Sequence, residues 1–586
     1  MRTAPPGPTG TPGGEPPLRG SLQALRRVFP GVKRFWVIVV ATGVLSGLGA
    51  GALLAILQAV QRLAWPDAAT FVGAVESATR LRRVAVPALA GVMVSAAVLL
   101  LRLPAGGHGT ARILEAIWHR DRGMLLGRTL ARAGLSIVAV GMGASLGREG
   151  ALVQTGAAAG SWLARRLGLH DVQARIVVAC GAASGIAAAY DVPIGGALFG
   201  LEVLLGSFAL DLLGPIVVSC VVATAVARTL PGVHPSYAMP NYQLLRPYEL
   251  VVGLALAPLL GVASAIYVRV MGAVEALLDR LPRWAQPALP PLALALVGAA
   301  AIRWPPLLGN GFDTVQEALR GNLPLAALAV LPVLKLLASA LCAGSGVPGG
   351  LFTPSLFYGA TLGGLAGELL ARGLGWNVPP GAIALMGMAG VLAGTTHAAV
   401  SSVVIVFEMT GDYGIILPLM LSAAVAAATS KAIEPDSLYT APLRRRGVAL
   451  PELPQPAWLR AMPVTDLVCP DAARVAPATP FEEVLRRLLA LPPGHDVYVA
   501  SEDGRLLGVI RLDALKGTIS EKAHLEAIVA SDVADRDVEP VTTGMSLGEV
   551  RDRFADVDLE RLPVVDRDRR LVGTVAMRDL LARGRF

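Results

Sequence analysis

Residues 143–160 set an arginine and a glutamate, Arg148 and Glu149, among glycines, alanines and apolar side chains. An ionisable side chain inside a hydrophobic segment costs on the order of 3 kcal/mol, so it faces a watery cavity or a partner. The flanking glycines remove side chains and let backbone N–H groups approach a ligand. The Ala-rich run after Ala151 continues as a helix, so the spacing predicts an anion site at a helix N-terminus. Pairing of Arg148 with Glu149, or placement of both at a bilayer surface, is the structural alternative.

The elements around this stretch belong in a membrane. The chain has 586 residues, 54% of them hydrophobic and 16% charged, against about 25% charge in ordinary globular proteins. Its mean hydropathy is +0.59. Apolar tracts run from Phe35 to Val60, Val84 to Leu101, Val251 to Val270, Leu289 to Ile302 and Ala382 to Phe407. Several are shorter or more Gly-broken than a plain span of about 20 residues, and broken backbone at membrane depth survives only where protein buries it or a cavity lies beside it. The net charge of +8 does not call for nucleic acid. Much of the basic excess flanks apolar tracts, at Arg19, Arg26, Arg27, Lys33 and Arg34 and again at Arg444, Arg445 and Arg446. By the positive-inside rule both flanks are cytoplasmic, which requires an even number of crossings of the cell membrane. Cys180, Cys220, Cys342 and Cys469 show neither disulfide nor metal-ligand spacing and read as core residues. Nucleophile–base pairs and Walker-type loops are absent, so an enzyme is not expected.

The membrane portion repeats itself. Gly107 to Ala116 aligns with Gly309 to Ala318, sharing both glycines and a Glu-Ala pair, Glu115 matching Glu317. Gly147 to Gly156 aligns with Gly350 to Gly359, an offset of 203 (350 less 147), and Gly181 to Glu202 aligns with Gly387 to Glu408, an offset of 206 (387 less 181). Duplicated halves with Gly-interrupted segments in matching positions point to a transport site between the repeats. Segments beginning near residues 107, 147 and 350 each present a positive dipole end, worth about half a charge, to one midplane point. A small anion is held there without a full buried cation, strongly enough to enter and weakly enough to leave.

The residues resemble the CLC family of voltage-gated chloride channels and chloride/proton antiporters. The resemblance is carried by the Gly143 to Gly150 motif, the run Gly344 to Pro354, the segment Pro193 to Glu202, Glu408 with Met409 and Thr410, and Ser437 to Tyr439. It implies an all-α polytopic membrane protein of two inverted repeats with broken helices, assembled as a homodimer with one anion pathway per subunit. It makes Glu149 the gating glutamate, whose carboxylate occupies an anion site and swings away on protonation. Phe352 and Tyr439 match side chains lining the central site, with the N–H groups of Arg148, Glu149, Gly150, Leu351 and Phe352 as donors to chloride.

Two departures bear on mechanism. Where the family usually has Gly-Ser-Gly-Ile-Pro, this chain reads Gly107, His108, Gly109, Thr110, Ala111, so an imidazole stands in for the serine hydroxyl facing the anion. His108 donates in either tautomer and adds positive charge when protonated, which bears on selection among chloride, nitrate and fluoride. Antiporters of the family typically read Glu-Glu where this chain has Glu202 and Val203. Val203 cannot carry a proton, so a passive channel is expected; the alternative is an antiporter in which Glu202 or His108 relays protons.

From about residue 433 hydropathy falls and prolines cluster, marking a boundary. The tail repeats a helix and Val-rich strands twice, a small α/β unit that resembles a pair of CBS domains. Such pairs often bind adenine nucleotides through Gly-x-x-Ser/Thr-x-x-Asp; here Asp579 is kept, but Ala576 stands at the hydroxyl position and the segment at Gly508 is one residue short. A structural role in dimerisation is the expectation, with nucleotide sensing by a non-conducting membrane portion as a further alternative. The predicted organisation is a disordered N-terminal segment at 1–33, a membrane domain at 34–440 with repeats at about 80–235 and 250–432, a linker at 441–461, and CBS units at 462–518 and 528–586.

Overall fold

The computed structural model describes residues 32–100, 109–118, 124–230, 237, 248–374, 379–411, 413–448, 462–492, 495–512, 515, 528–555, 559–577 and 579–580. The expected disordered lead lies almost wholly outside them, as does His108. The chain divides into two compact units, Met1–Pro451 and Glu452–Phe586.

The first unit is helical. Among its described residues, seven helices are long and apolar enough to cross a membrane: Lys33–Ala64, Arg80–Leu100, Gln173–Tyr190, Leu210–Arg228, Leu250–Asp279, Leu325–Gly344 and Ile416–Ile433. Four more apolar helical stretches are too short to span, Pro193–Leu205, Gln286–Ala300, Pro380–Thr396 and Ala399–Thr410. This is a multi-pass membrane protein.

Interruption follows the repeat. In the first half, the helix Asp171–Tyr190 stops at Asp191, whose φ of 59° is left-handed, and Pro193 starts the next helix. In the second, Pro380–Thr396 stops at His397, with φ of 57°, and Ala399–Thr410 follows. Asp191 and His397 lie 206 positions apart (397 less 191), the same offset that aligns Gly181 with Gly387. The single apolar tract Ala382 to Phe407 is thus two helices joined at a sharp corner, and a residue at positive φ is what ends the first of them.

Small residues let the paired helices touch. A methyl group on Gly156 would run into the carbonyl of Gly181, and one on Gly359 into that of Gly387. These contacts bring Glu149–Arg166 against Asp171–Tyr190 and Phe352–Leu374 against Pro380–Thr396, at backbone-to-backbone distance. Cys180, Cys220 and Cys342 are buried and unpaired, and Cys469 is partly covered. After Tyr439 a short helix, Ala441–Arg445, stays with this unit: Arg445 donates to the Gly272 carbonyl and pairs with Glu275.

The second unit holds two three-stranded sheets of one design. Arg474–Val475 runs parallel to Val497–Ala500, which pairs antiparallel with Leu506–Ile510; Val541–Thr542, Arg561–Val565 and Leu571–Ala576 repeat the order. Both antiparallel pairs shift register at one place, between Val499 and Ala500 and between Val564 and Val565. The two halves meet symmetrically: Leu506 donates its amide to the Arg569 carbonyl and Leu571 donates to that of Gly504. The α/β tail with an internal repeat is therefore present as expected.

Candidate functional site

The stretch that holds Glu149 is fixed by its counterpart. Gly147 donates its amide to the Gly350 carbonyl at 2.8 Å, and Gly350 returns a bond to the Gly147 carbonyl at 2.9 Å. Two residues 203 apart that bond to each other reciprocally lie on either side of a local two-fold axis. Immediately beyond them start the helices Glu149–Arg166 and Phe352–Leu374, so two N-termini converge where the sequence requires.

Glu149 is 3% exposed, and its carboxylate crosses the axis to the other helix. Oε1 accepts from the amides of Phe352 at 2.8 Å and Thr353 at 3.2 Å. Oε2 accepts from the Thr353 hydroxyl at 2.8 Å and the Tyr190 hydroxyl at 3.2 Å, and those two hydroxyls are 2.6 Å apart. Bonds from neutral donors to a carboxylate are stronger than neutral ones, and the dipole of the 23-residue helix adds to them. Side chains on Gly147 or Gly350 would occupy the space of the carboxylate, which explains glycine at both positions. Nothing in the arrangement pairs Glu149 with Arg148: the guanidinium instead reaches the Ala189 carbonyl at 3.5 Å.

Other expected site residues gather nearby. Phe352 packs 5.3 Å from the Tyr190 ring and 6.5 Å from Phe199, and Phe199 meets Tyr439 edge-on at 6.0 Å. Tyr439 and Leu351 are buried. Gly150 has the backbone of Gly349 and Gly350 against it, and Gly109, which opens the helix Gly109–Trp118, abuts the Gln154 side chain on the Glu149 helix. The third helix start thus packs on the Glu149 helix. Sequence reasoning did not single out Tyr190, Thr353 or Phe199. Thr353 directly follows Phe352 in the matched motif, and Tyr190 is the only aromatic in its helix, which are the signals that would have found them.

Glu202 and Glu408 hold the two broken segments together. Glu202 accepts from the amides of Val400 at 3.2 Å and Ser401 at 2.7 Å, at the start of Ala399–Thr410. Glu408 accepts from those of Ile194 at 3.1 Å and Gly195 at 2.6 Å, at the start of Pro193–Phe199. Each glutamate caps the helix of the opposite repeat, where unpaired N–H groups and the dipole favour a carboxylate. Val203 is partly buried against the apolar core. In the tail, Asp579 is half-buried beyond the last strand, while the Thr574 hydroxyl accepts from Arg561 at 3.2 Å. Close approach of the Cys469 carbonyl accounts for Gly573, and that of Asp535 for Gly508.

Residues 90–431 match the voltage-gated chloride channel family. The chain belongs to that family. Residues 530–584 match the CBS domain. A protein of Ralstonia nicotianae described as ClcB-like is 35% identical over 414 residues, covering 69% of this chain and 96% of the relative. The voltage-gated ClC-type chloride channel ClcB of Escherichia coli K12 is 33% identical over 426 residues, covering 69% and 98%. Among solved structures, a slow cyanobacterial chloride/proton antiporter superposes with a TM-score of 0.64 at 22% identity, covering 70% of this chain and 98% of its own. A eukaryotic CLC transporter reaches 0.62 at 21% identity, covering 94% and 98%. The CLC fold with a CBS-bearing tail is thereby established.

Proposed function

We propose that this CLC-family protein conducts chloride passively and that Glu149 is its gate. The observation that carries the proposal is the Glu149 carboxylate seated on the amides of Phe352 and Thr353 and the hydroxyl of Thr353. Those donors suit any small anion, so carboxylate and chloride compete for one place. Protonation converts an acceptor-only group into one that also donates, weakens its hold on the cradle and frees the donors. Phe352, Phe199 and Tyr439 form an aromatic wall beside that place. His108 and the amides of Gly109, Arg148, Gly150 and Leu351 complete the proposed anion path.

Passive flow is favoured because Val203 cannot titrate and Glu202 is committed to two amides. One observation speaks for the antiporter reading instead: the Tyr190 hydroxyl lies 2.6 Å from that of Thr353, which donates to Glu149, so that with its proton turned to Thr353 the pair offers a relay to the carboxylate. Purified protein in liposomes under a chloride gradient, with chloride and proton movement recorded together, decides between them. Chloride flux without proportional proton movement supports the channel, and stoichiometric proton uptake overturns it.

We infer from family membership a transport protein rather than an enzyme. We further infer a homodimer in the cell membrane with both termini cytoplasmic, and a CBS pair at 462–518 and 528–586 in a structural role. Engagement of Thr574 by Arg561, and backbone packing at Gly508 and Gly573, support that role over an adenine nucleotide held at Asp579.

A further inference from the structure

Lys335 is fully buried in the apolar helix Leu325–Gly344. Its ammonium donates to the carbonyls of Leu307 at 3.1 Å and Gly309 at 2.8 Å, and lies 5.2 Å from the centre of the Phe357 ring. An ammonium has three donors and no acceptor, and two carbonyls and a ring face account for all three. A buried cation in a membrane helix is costly enough to require a use.

Its contacts lead to the anion site by two routes. Gly309, held by Lys335, donates its amide to the Gly143 carbonyl at 3.3 Å, and Gly143, with φ of 110°, opens the loop that ends at Glu149. One turn further along the Lys335 helix, on the same face, Ser339 donates to the Ser145 carbonyl at 2.8 Å. A single helix of the second repeat therefore pins the loop of the first at Gly143 and Ser145. The second route is Phe357, whose ring the ammonium faces and which lies one turn beyond Thr353 on the same helix face. The first repeat carries Arg132, 5% exposed, at the equivalent position, 203 residues earlier (335 less 132).

We propose that Lys335 is a positioning residue for the anion site: it fixes the loop 143–147 through Gly309 and brings positive charge to the far side of the helix that holds the anion. The inference rests on the reading of the Glu149 cradle as the chloride site. At an effective dielectric near 20, a charge set back by about two helix turns alters the binding of an anion on the order of ten-fold.

The test uses full-length protein with Glu149→Gln, which removes the competing carboxylate, and chloride titration by calorimetry. Adding Lys335→Met raises the chloride Kd about ten-fold, whereas adding Lys335→Arg leaves it within about two-fold. An unchanged Kd in Lys335→Met, or an equal rise in both variants, overturns the inference, the latter assigning the effect to packing. Should Lys335→Met not yield folded protein, Lys335→Gln keeps amide donors near both carbonyls without the charge; it is expected to show the same rise, and an unchanged Kd overturns the inference. Absence of chloride binding in Glu149→Gln alone would instead reject the cradle as the chloride site, so the two failures are distinct.

Discussion

The Thr353 hydroxyl lies 2.8 Å from Glu149 Oε2, while its own backbone amide lies 3.2 Å from Oε1. One residue of the second repeat thus grips both oxygens of a carboxylate supplied by the first. Thr353→Ala removes the hydroxyl, and a hydrogen bond to a charged group contributes about 1.5–3 kcal/mol, equivalent to roughly 10- to 100-fold in the balance between seated and released carboxylate. Chloride flux at neutral pH is expected to rise in this variant. Tyr190→Phe, which removes a hydroxyl 3.2 Å from the carboxylate, is expected to shift flux in the same direction by less. Liposome efflux rates measure both, and a fall in either variant would contradict the grip.

Replacing Glu149 removes the proposed gate. In Glu149→Gln and Glu149→Ala, chloride flux is expected to persist and to stop responding to external pH, because neither side chain ionises in that range. Efflux followed across a pH series checks this. Retention of the wild-type profile in both variants would dismiss Glu149 as the gate.

His108 lies outside the described residues, and its proposed place on the anion path is tested directly by His108→Ser. Exchange of an imidazole for a hydroxyl changes the donor facing the ion and removes a charge that appears on protonation. The expected outcome is a changed order of chloride, nitrate and fluoride permeation, read from reversal potentials. An unaltered order places the imidazole away from the ion.

In the tail, Ser546 and Glu549 form a reciprocal cap at the start of Leu547–Ala555: the Ser546 amide and hydroxyl donate to Glu549 Oε2 at 2.8 and 2.9 Å. The Ser546 backbone bond, followed by its hydroxyl, holds the Glu549 carboxyl below its ordinary value. A depressed carboxyl stabilises the fold above its unfolded pKa of about 4.3, and that contribution fades as pH falls through the folded value. Amide hydrogen exchange in residues 547–555 is expected to quicken more between about pH 6 and about pH 3 in the parent than in Glu549→Gln, after correction for intrinsic rates. Equal changes would show that the cap does not titrate.

Fold class and the meeting of the two matched glycine motifs were legible because a duplicated sequence carries its symmetry openly. Gly147 matched Gly350 by offset alone, and the two proved to bond to each other. Glu202 matched Glu408, yet their roles as exchanged caps were not legible, since a cap is defined by where another repeat's helix begins. Val203 was readable as a side chain without a proton, but whether a hydroxyl chain substitutes for it depends on Tyr190 and Thr353 meeting in space. Lys335 lay in an apolar helix with no motif around it, and its meaning came from carbonyls 28 and 26 residues earlier.

The exchanged caps have a consequence for assembly. A chain severed between Arg228 and Tyr248 would leave each piece with a helix start whose amides wait for a carboxylate on the other piece. Neither fragment carries the carboxylate that caps its own helix start, and supplying both in one cell is expected to restore what each alone lacks.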